Sequence, residues 1–212
     1  RPILRGRDIK RYGYEFADLW LINTHNGIKE KGIKPINIED YPAIKAHLDN
    51  YWDELSKRAD KGDTPYNLRN CAYMEDFSKQ KIVWIELTDH PNFSLDERSY
   101  YLNNTVFFMI GNYLEYIISF LNSKICEWYF DKICATSGVG TRRWIKMYID
   151  QIRIPIIDTI EMTKFESIVN DLHLQKGEKL NTEILDIEIN NRFAKLFGLS
   201  KDEIFEIEMT TL

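Results

Sequence analysis

Apolar positions along this chain form two patterns, short unbroken blocks and stripes at helical spacing. The blocks predict strands. Phe16-Ala17-Asp18-Leu19-Trp20-Leu21-Ile22, ended by Asn23-Thr24, predicts a buried strand, and Lys81-Ile82-Val83-Trp84-Ile85-Glu86-Leu87 predicts another from its β-branched and aromatic content. Phe93–Asp96, Tyr100–Leu102 and the buried-looking Thr105–Ile110 follow as short strands after turns at 89–92 and 103–104.

The stripes predict helices. Ile44, Leu48, Tyr51, Trp52 and Leu55 place a one-faced helix, straight or kinked, from about Ile38 to Arg58 or Ala59, with Asp40 as its N-cap and Pro42 in its first turn. Leu114, Ile117, Ile118, Leu121, Ile125, Trp128 and Tyr129 predict a core helix over 113–131, or a pair of helices broken at Asn122-Ser123, where either residue can cap the second. A short helix is expected over 147–152. The last third reads as helical at 162–175, 179–197 and 200–208. There Gly198 is a C-cap, and Ser200 with Glu203 forms a capping box. The sum is an α+β fold. A small mixed β-sheet of about three to five strands with packed helices fills residues 1–157, and a C-terminal helical extension fills 158–212.

Between the last two body elements lies Thr136-Ser137-Gly138-Val139-Gly140-Thr141-Arg142-Arg143-Trp144-Ile145-Lys146. Two glycines free the backbone, and Arg142, Arg143, Trp144 and Lys146 come directly after them. That chemistry suits an anion-binding or nucleic-acid-facing loop held between apolar elements. A second polar loop, Lys57–Asn70, combines cations, an aromatic and two amides, the side chains that read base edges and phosphates, though loops of this composition are commonly solvated connectors. The start, with Arg1, Arg5, Arg7, Lys10 and Arg11 opposed by Asp8 alone, fits either a DNA backbone contact or a solvated surface strand.

Charge changes the picture through its distribution. The chain of 212 residues has a net charge of −5, but residues 158–212 hold 6 Lys and Arg against 12 Asp and Glu, leaving the body 22 against 21. The acidic tail is a poor DNA face and suits packing on another domain or on a basic partner. Local cations, not net charge, set phosphate contacts. The 13% aromatic content is first of all core material. Three cysteines, Cys71, Cys126 and Cys134, with no Cys-X-X-Cys, argue against a disulfide scaffold or structural zinc and fit a reducing cytoplasm. No apolar run approaches the roughly 18 residues that span a bilayer. No apolar segment succeeds the basic start as in a signal peptide. The first residue, Arg1, is not Met, which fits a piece of a longer protein.

A helix ending in Leu121-Asn122-Ser123-Lys124, the basic loop with its glycines, and the exit Ile152-Arg153-Ile154-Pro155 resemble the target-recognition domains of restriction-modification proteins. The match is to the TaqI-like C-terminal specificity domain of type IIG restriction-methylation enzymes and related adenine methyltransferases. Pro2–Ile9, Tyr66-Asn67-Leu68-Arg69, Lys81-Ile82-Val83-Trp84 and the helical tail Ile189–Ile204 fit the same order, so the resemblance covers nearly the whole chain. It implies double-stranded DNA as partner and an upstream methyltransferase domain in the same chain. It also raises the Arg58–Arg69 loop, where Tyr66 stands near the place at which Trp is usual.

The candidate DNA contacts are therefore Arg58, Arg69, Arg98, Arg142, Arg143 and Lys146. Asn67 and Tyr66 are secondary readers, and Arg5, Arg7, Lys79 and Lys81 are backbone contacts. Arg98 rests on its place in a turn between strands, where a solvated charge is the stronger reading.

Chemistry of other kinds does not assemble. There is no Asn/Asp-Pro-Pro-aromatic tetrapeptide, no glycine-rich turn for S-adenosylmethionine, no nuclease acidic pair with Asp/Glu-X-Lys, no Gly-X-Ser-X-Gly elbow and no P-loop. His25, His47, His90 and His173 lie far apart, without metal-ligand spacing. The expectation is a non-catalytic recognition module without its own cofactor. Its parent would hold S-adenosylmethionine, and magnesium if it also cleaves. A protein-interaction module that docks subunits of a larger complex is the alternative.

Overall fold

The computed structural model describes residues 1–134, 141–177 and 180–211. The chain divides into two compact units. One is Arg1 with Trp20–Phe77, and the other is Pro2–Leu19 with Ser78–Leu212.

The first unit is built from turns and two short helices, α1 (Pro42–Asp49) and α2 (Trp52–Lys57). The helix expected over this stretch, straight or kinked, is realised as these two, broken at Asn50-Tyr51, where the Asn50 side-chain amide donates to the carbonyls of Ala46 and His47. Asp40 does not cap it. Asn37 caps a 3-10 turn over Ile38–Asp40 instead, and α1 starts directly at Pro42. The residue before a proline is pushed out of the helical region, so Tyr41 separates the two elements. Upstream, Ile28 and Ile33 exchange backbone hydrogen bonds across a tight hairpin. Gly27 in this hairpin has φ 73°, and a Cβ there would lie 2.2 Å from the Ile33 carbonyl, so only glycine fits.

The second unit holds strands β1 (Ile3–Leu4), β2 (Ile9–Lys10), β3 (Gly13–Tyr14), β4 (Lys81–Ile85), β5 (Leu87–Thr88), β6 (Phe93–Asp96), β7 (Tyr101–Leu102), β8 (Val106–Met109) and β9 (Arg142–Arg143). Its helices are α3 (Leu114–Leu121), α4 (Lys124–Ile133), α5 (Lys146–Ile149), α6 (Thr159–Gly177), α7 (Glu183–Phe197) and α8 (Lys201–Thr210). The fold is α+β. In place of one sheet, β4 is the centre of an antiparallel trio, β6-β4-β8, and the remaining strands pair two by two: β1 with β7 in parallel, β2 with β3 and β5 with β9 antiparallel. Central β4 is buried along most of its length, while edge strand β8 is only half-buried, less than its apolar sequence suggests.

The block at 16–22 forms no buried strand. Asp18 turns the backbone to φ 52°, and Leu19, Trp20 and Ile22 are exposed. The αα pair is realised, with Ser123 accepting from the Cys126 amide as the cap of α4. Asn122, beside it, is buried and both donates to and accepts from the Phe93 backbone, tying the helix junction to β6. Gly198 ends α7 with φ 66°, and Ser200 and Glu203 cap α8 reciprocally. The expected start of the middle tail helix, Lys179, lies outside the described residues.

The helices beyond residue 157 share the core of the strands before it. The Tyr116 ring of α3 packs on Phe165 of α6 and Phe193 of α7, with centroids 5.2 and 5.9 Å away. Its hydroxyl donates to the Pro155 carbonyl at 2.8 Å, and burial pushes the phenol pKa up to about 12. Among the described residues no helix is long and apolar enough to cross a membrane.

Candidate nucleic-acid interface

The glycine-containing part of the basic loop, residues 135–140 with Gly138 and Gly140, lies outside the described residues. The segment from Arg142 onward is seated firmly. Arg143 pairs with Leu87 and Arg142 with Thr88 in the β5–β9 ladder, and the Trp144 amide donates to the Glu86 carbonyl at 2.8 Å. Side chains alternate across a strand, and here the alternation decides what each residue can do. Trp144 turns inward with none of its surface exposed, stacked on Phe130, and the Trp84 indole donates to its carbonyl at 2.7 Å.

Arg142 also turns inward. Its guanidinium meets Glu127 at 2.9 Å and grips Asp131 through two nitrogens, leaving 11% of the side chain exposed. The hydrogen bond to Asp131 and the charge of Glu127 hold it protonated even more firmly than a free arginine. An arginine so neutralised ties β9 to α4 and offers little to a phosphate. Arg143 turns outward, half-exposed, with Glu86 at 2.8 Å. Lys146, in the first turn of α5, is 78% exposed and paired with Asp150. Exposed pairs of this kind are weak and exchange readily for a stronger anion.

The other body cations divide the same way. Lys81 is wholly buried, its ammonium 2.5 Å from the equally buried Asp96, so it has no face for DNA. Arg5 forks onto Asp8 at 2.8 and 3.0 Å, while Arg7 is exposed. Lys79 and Arg98 are exposed as well. The Arg98 backbone is fixed by a 2.8 Å bond from its amide to Asp96.

In the first unit, Arg58 donates to the carbonyls of Asn67 at 2.6 Å and Pro65 at 3.2 Å, closing the loop on itself. Asn67 is 2% exposed, donates to the Ile36 carbonyl and accepts from the Thr64 hydroxyl, so its amide is committed to the fold. Tyr66 packs on Trp52, and its hydroxyl donates to Asp49 at 2.5 Å. Arg69 remains outward, 63% exposed, with Asp60 no nearer than 3.5 Å. Two cations that the sequence alone did not single out, Lys29 and Lys34, flank the tip of the Ile28–Ile33 hairpin, and their side chains make no hydrogen bond or ion pair among the described residues. The signal for them lies in the glycines at 27 and 32, which mark the hairpin that carries them.

Among the described residues no group of three or more His, Cys, Asp or Glu side chains could hold a metal ion. A rigidly anchored edge that turns selected cations outward is the build of a binding domain. The chain belongs to the family of TaqI-like C-terminal specificity domains, whose sequence model matches residues 1–156. Domains of this family are DNA-recognition modules of restriction-modification enzymes. The match ends where the Ile154-Pro155 exit leaves the body, although the hydrophobic core continues into α6 and α7.

Proposed function

We propose that this chain reads a short duplex sequence and directs upstream methyltransferase or endonuclease domains of the same protein to it. Arg143 and Lys146 contact phosphates and set register, and Arg69 contacts DNA from the loop of the first unit, with Arg7, Arg98 and Lys79 as further contacts. The observation that carries this reading is the seating of β9. A buried Trp144 and a neutralised Arg142 hold the backbone, so Arg143 projects from a rigid strand and loses little conformational entropy on binding. Arg58, Tyr66, Asn67, Arg142, Arg5 and Lys81 support the surface in this reading and do not touch DNA. S-adenosylmethionine, and magnesium where the parent cleaves, belong to the upstream domains.

The test is fluorescence anisotropy of the chain with a random-sequence duplex pool across a salt series. Binding that weakens steeply with salt, followed by enrichment of one short sequence on selection, is the expected result. Absence of binding by both this chain and its full-length parent would sink the reading.

A second reading, docking of partner subunits, draws on the tail. Ile184 and Ile187 on α7, and Phe205 and Met209 on α8, are all more than half exposed in a strongly acidic segment. A salt-insensitive complex with protein, and none with DNA, would favour it.

A further inference from the structure

A cleft of about 660 Å³ opens in the second unit between the β2–β3 hairpin, the turn after β6 and the C-terminal part of α6. Four cations line it, Lys10, Arg11, Arg98 and Lys176, against the carboxylates of Glu15 and Glu97. Arg11 is committed elsewhere, to Asp186 at 2.6 Å and to the Asn122 carbonyl at 2.9 Å. Lys10 bonds a neutral carbonyl, that of Arg7, so its charge is not cancelled. The Arg98 guanidinium and the Lys176 ammonium have no hydrogen-bond or ion-pair partner among the described residues.

The cleft is built, not incidental. Asp96, locked by buried Lys81, accepts from the backbone amides of Arg98 and Tyr100 at 2.8 and 3.0 Å, which fixes the turn that presents Arg98. Tyr14 stands beside it, its ring against Tyr100 at 5.2 Å, and its hydroxyl makes no hydrogen bond among the described residues. At Gly13 a Cβ would come within 4.0 Å of the Lys176 Cβ, so the hairpin turn and α6 abut. Three cations without an ion-pair partner among the described residues outnumber the two lining carboxylates by one, and with a free phenol donor around the same concavity they match a singly charged, multi-acceptor oxyanion.

We propose that this cleft seats a backbone phosphodiester of the bound duplex, with Lys10, Arg98 and Lys176 as its charge partners and the Tyr14 hydroxyl as a hydrogen-bond donor. The inference rests on the DNA-recognition reading above and extends it in one respect. It brings α6, which lies beyond the family-matched residues and within the acidic tail, into the DNA surface through Lys176.

The test compares the full chain with Arg98→Ala/Lys176→Ala, Tyr14→Phe and the conservative Arg98→Lys, in duplex anisotropy over a salt series. Loss of one seated phosphate lowers the slope of log K against log salt by about 1. The double variant is expected to show that fall and about tenfold weaker binding at moderate salt, equally for all sequences, with an unchanged thermal midpoint. Arg98→Lys retains the slope, and Tyr14→Phe weakens binding about threefold. As a second probe, Lys176→Glu alone lowers affinity further through charge reversal. Wild-type binding with an unchanged slope in both the double and the charge-reversed variant overturns the cleft while leaving the recognition reading intact. A wild-type chain and parent that bind no duplex overturn both. Inorganic phosphate that protects the cleft yet leaves duplex affinity unchanged, at ionic strength matched with chloride, would mark a small-anion site and overturn the assignment to a strand.

Discussion

The indole of Trp144 lies flat on the ring of Phe130, with centroids 3.8 Å apart and planes 5° from parallel. Phe93 meets the same indole edge-on at 5.3 Å. The basic edge of the domain is therefore plugged into the core by the residue next to its outward arginine. Trp144→Ala is expected to cost about 3–5 kcal/mol, the usual range for emptying a large aromatic site. Trp144→Phe should cost less, because the indole N–H has no hydrogen-bond partner among the described residues. Urea denaturation reads both, and a midpoint unmoved by Trp144→Ala would rule out the plug.

Neighbouring arginines should behave oppositely. Arg142→Ala leaves buried Glu127 and the more exposed Asp131 short of their cation, so thermal stability falls while the outward surface is unchanged. Arg143→Ala with Lys146→Ala removes two exposed cations whose pairs contribute about 0–1 kcal/mol each. That double variant should melt like the wild type yet bind duplex at least tenfold more weakly. Paired melting and anisotropy measurements separate the two. Weakened DNA binding by Arg142→Ala at full stability would reverse the roles.

Lys81 and Asp96 face each other across the β4–β6 register, both wholly buried. Lys81→Met strands the carboxylate without its charge partner and should destabilise by about 3–5 kcal/mol at neutral pH. The turn that Asp96 organises carries Arg98, so any DNA-binding loss in this variant should track the unfolded fraction. Binding lost by a fully folded Lys81→Met chain would contradict the structural role.

Asp8 accepts from the Arg5 side chain at 2.8 and 3.0 Å and from its backbone amide at 2.8 Å. The hydrogen bond from Arg5 holds its carboxyl below the ordinary 3.8. A carboxyl whose native value is depressed adds stability that is complete above its unfolded value and lost as pH falls through the native one. The stability gap between wild type and Asp8→Asn should therefore be constant near neutrality and shrink on acidification below pH 3.8. Denaturation curves at pH 7 and at successively lower pH test this. A gap that grows on acidification would give the opposite sign.

What could be read in the chain by itself was local. Ser123 at the helix break, Gly198 at a helix end and the Ser200–Glu203 box each depend on bonds within a few residues, so their spacing announces them. The apolar blocks at 81–85 and 93–96 likewise named their strands, and the order of motifs named the family. The strand expected at 16–22 failed because burial is not a local property: Asp18 turns the backbone, and Trp20 is left 63% exposed.

Which cations face outward was a tertiary decision. Lys81, Arg142 and Arg143 all sit in strands, and a strand's side chains divide between its faces according to what covers each face. Asp96 lies 15 residues from Lys81, and Glu127 and Asp131 lie 15 and 11 from Arg142, distances across which pairing is set by register and helix packing. Asn67 is held by a carbonyl 31 residues away for the same reason. The core, too, runs through Tyr116, Phe165 and Phe193 past the point where the family motif ends, because buried area follows contact in space and not the boundary of a sequence pattern.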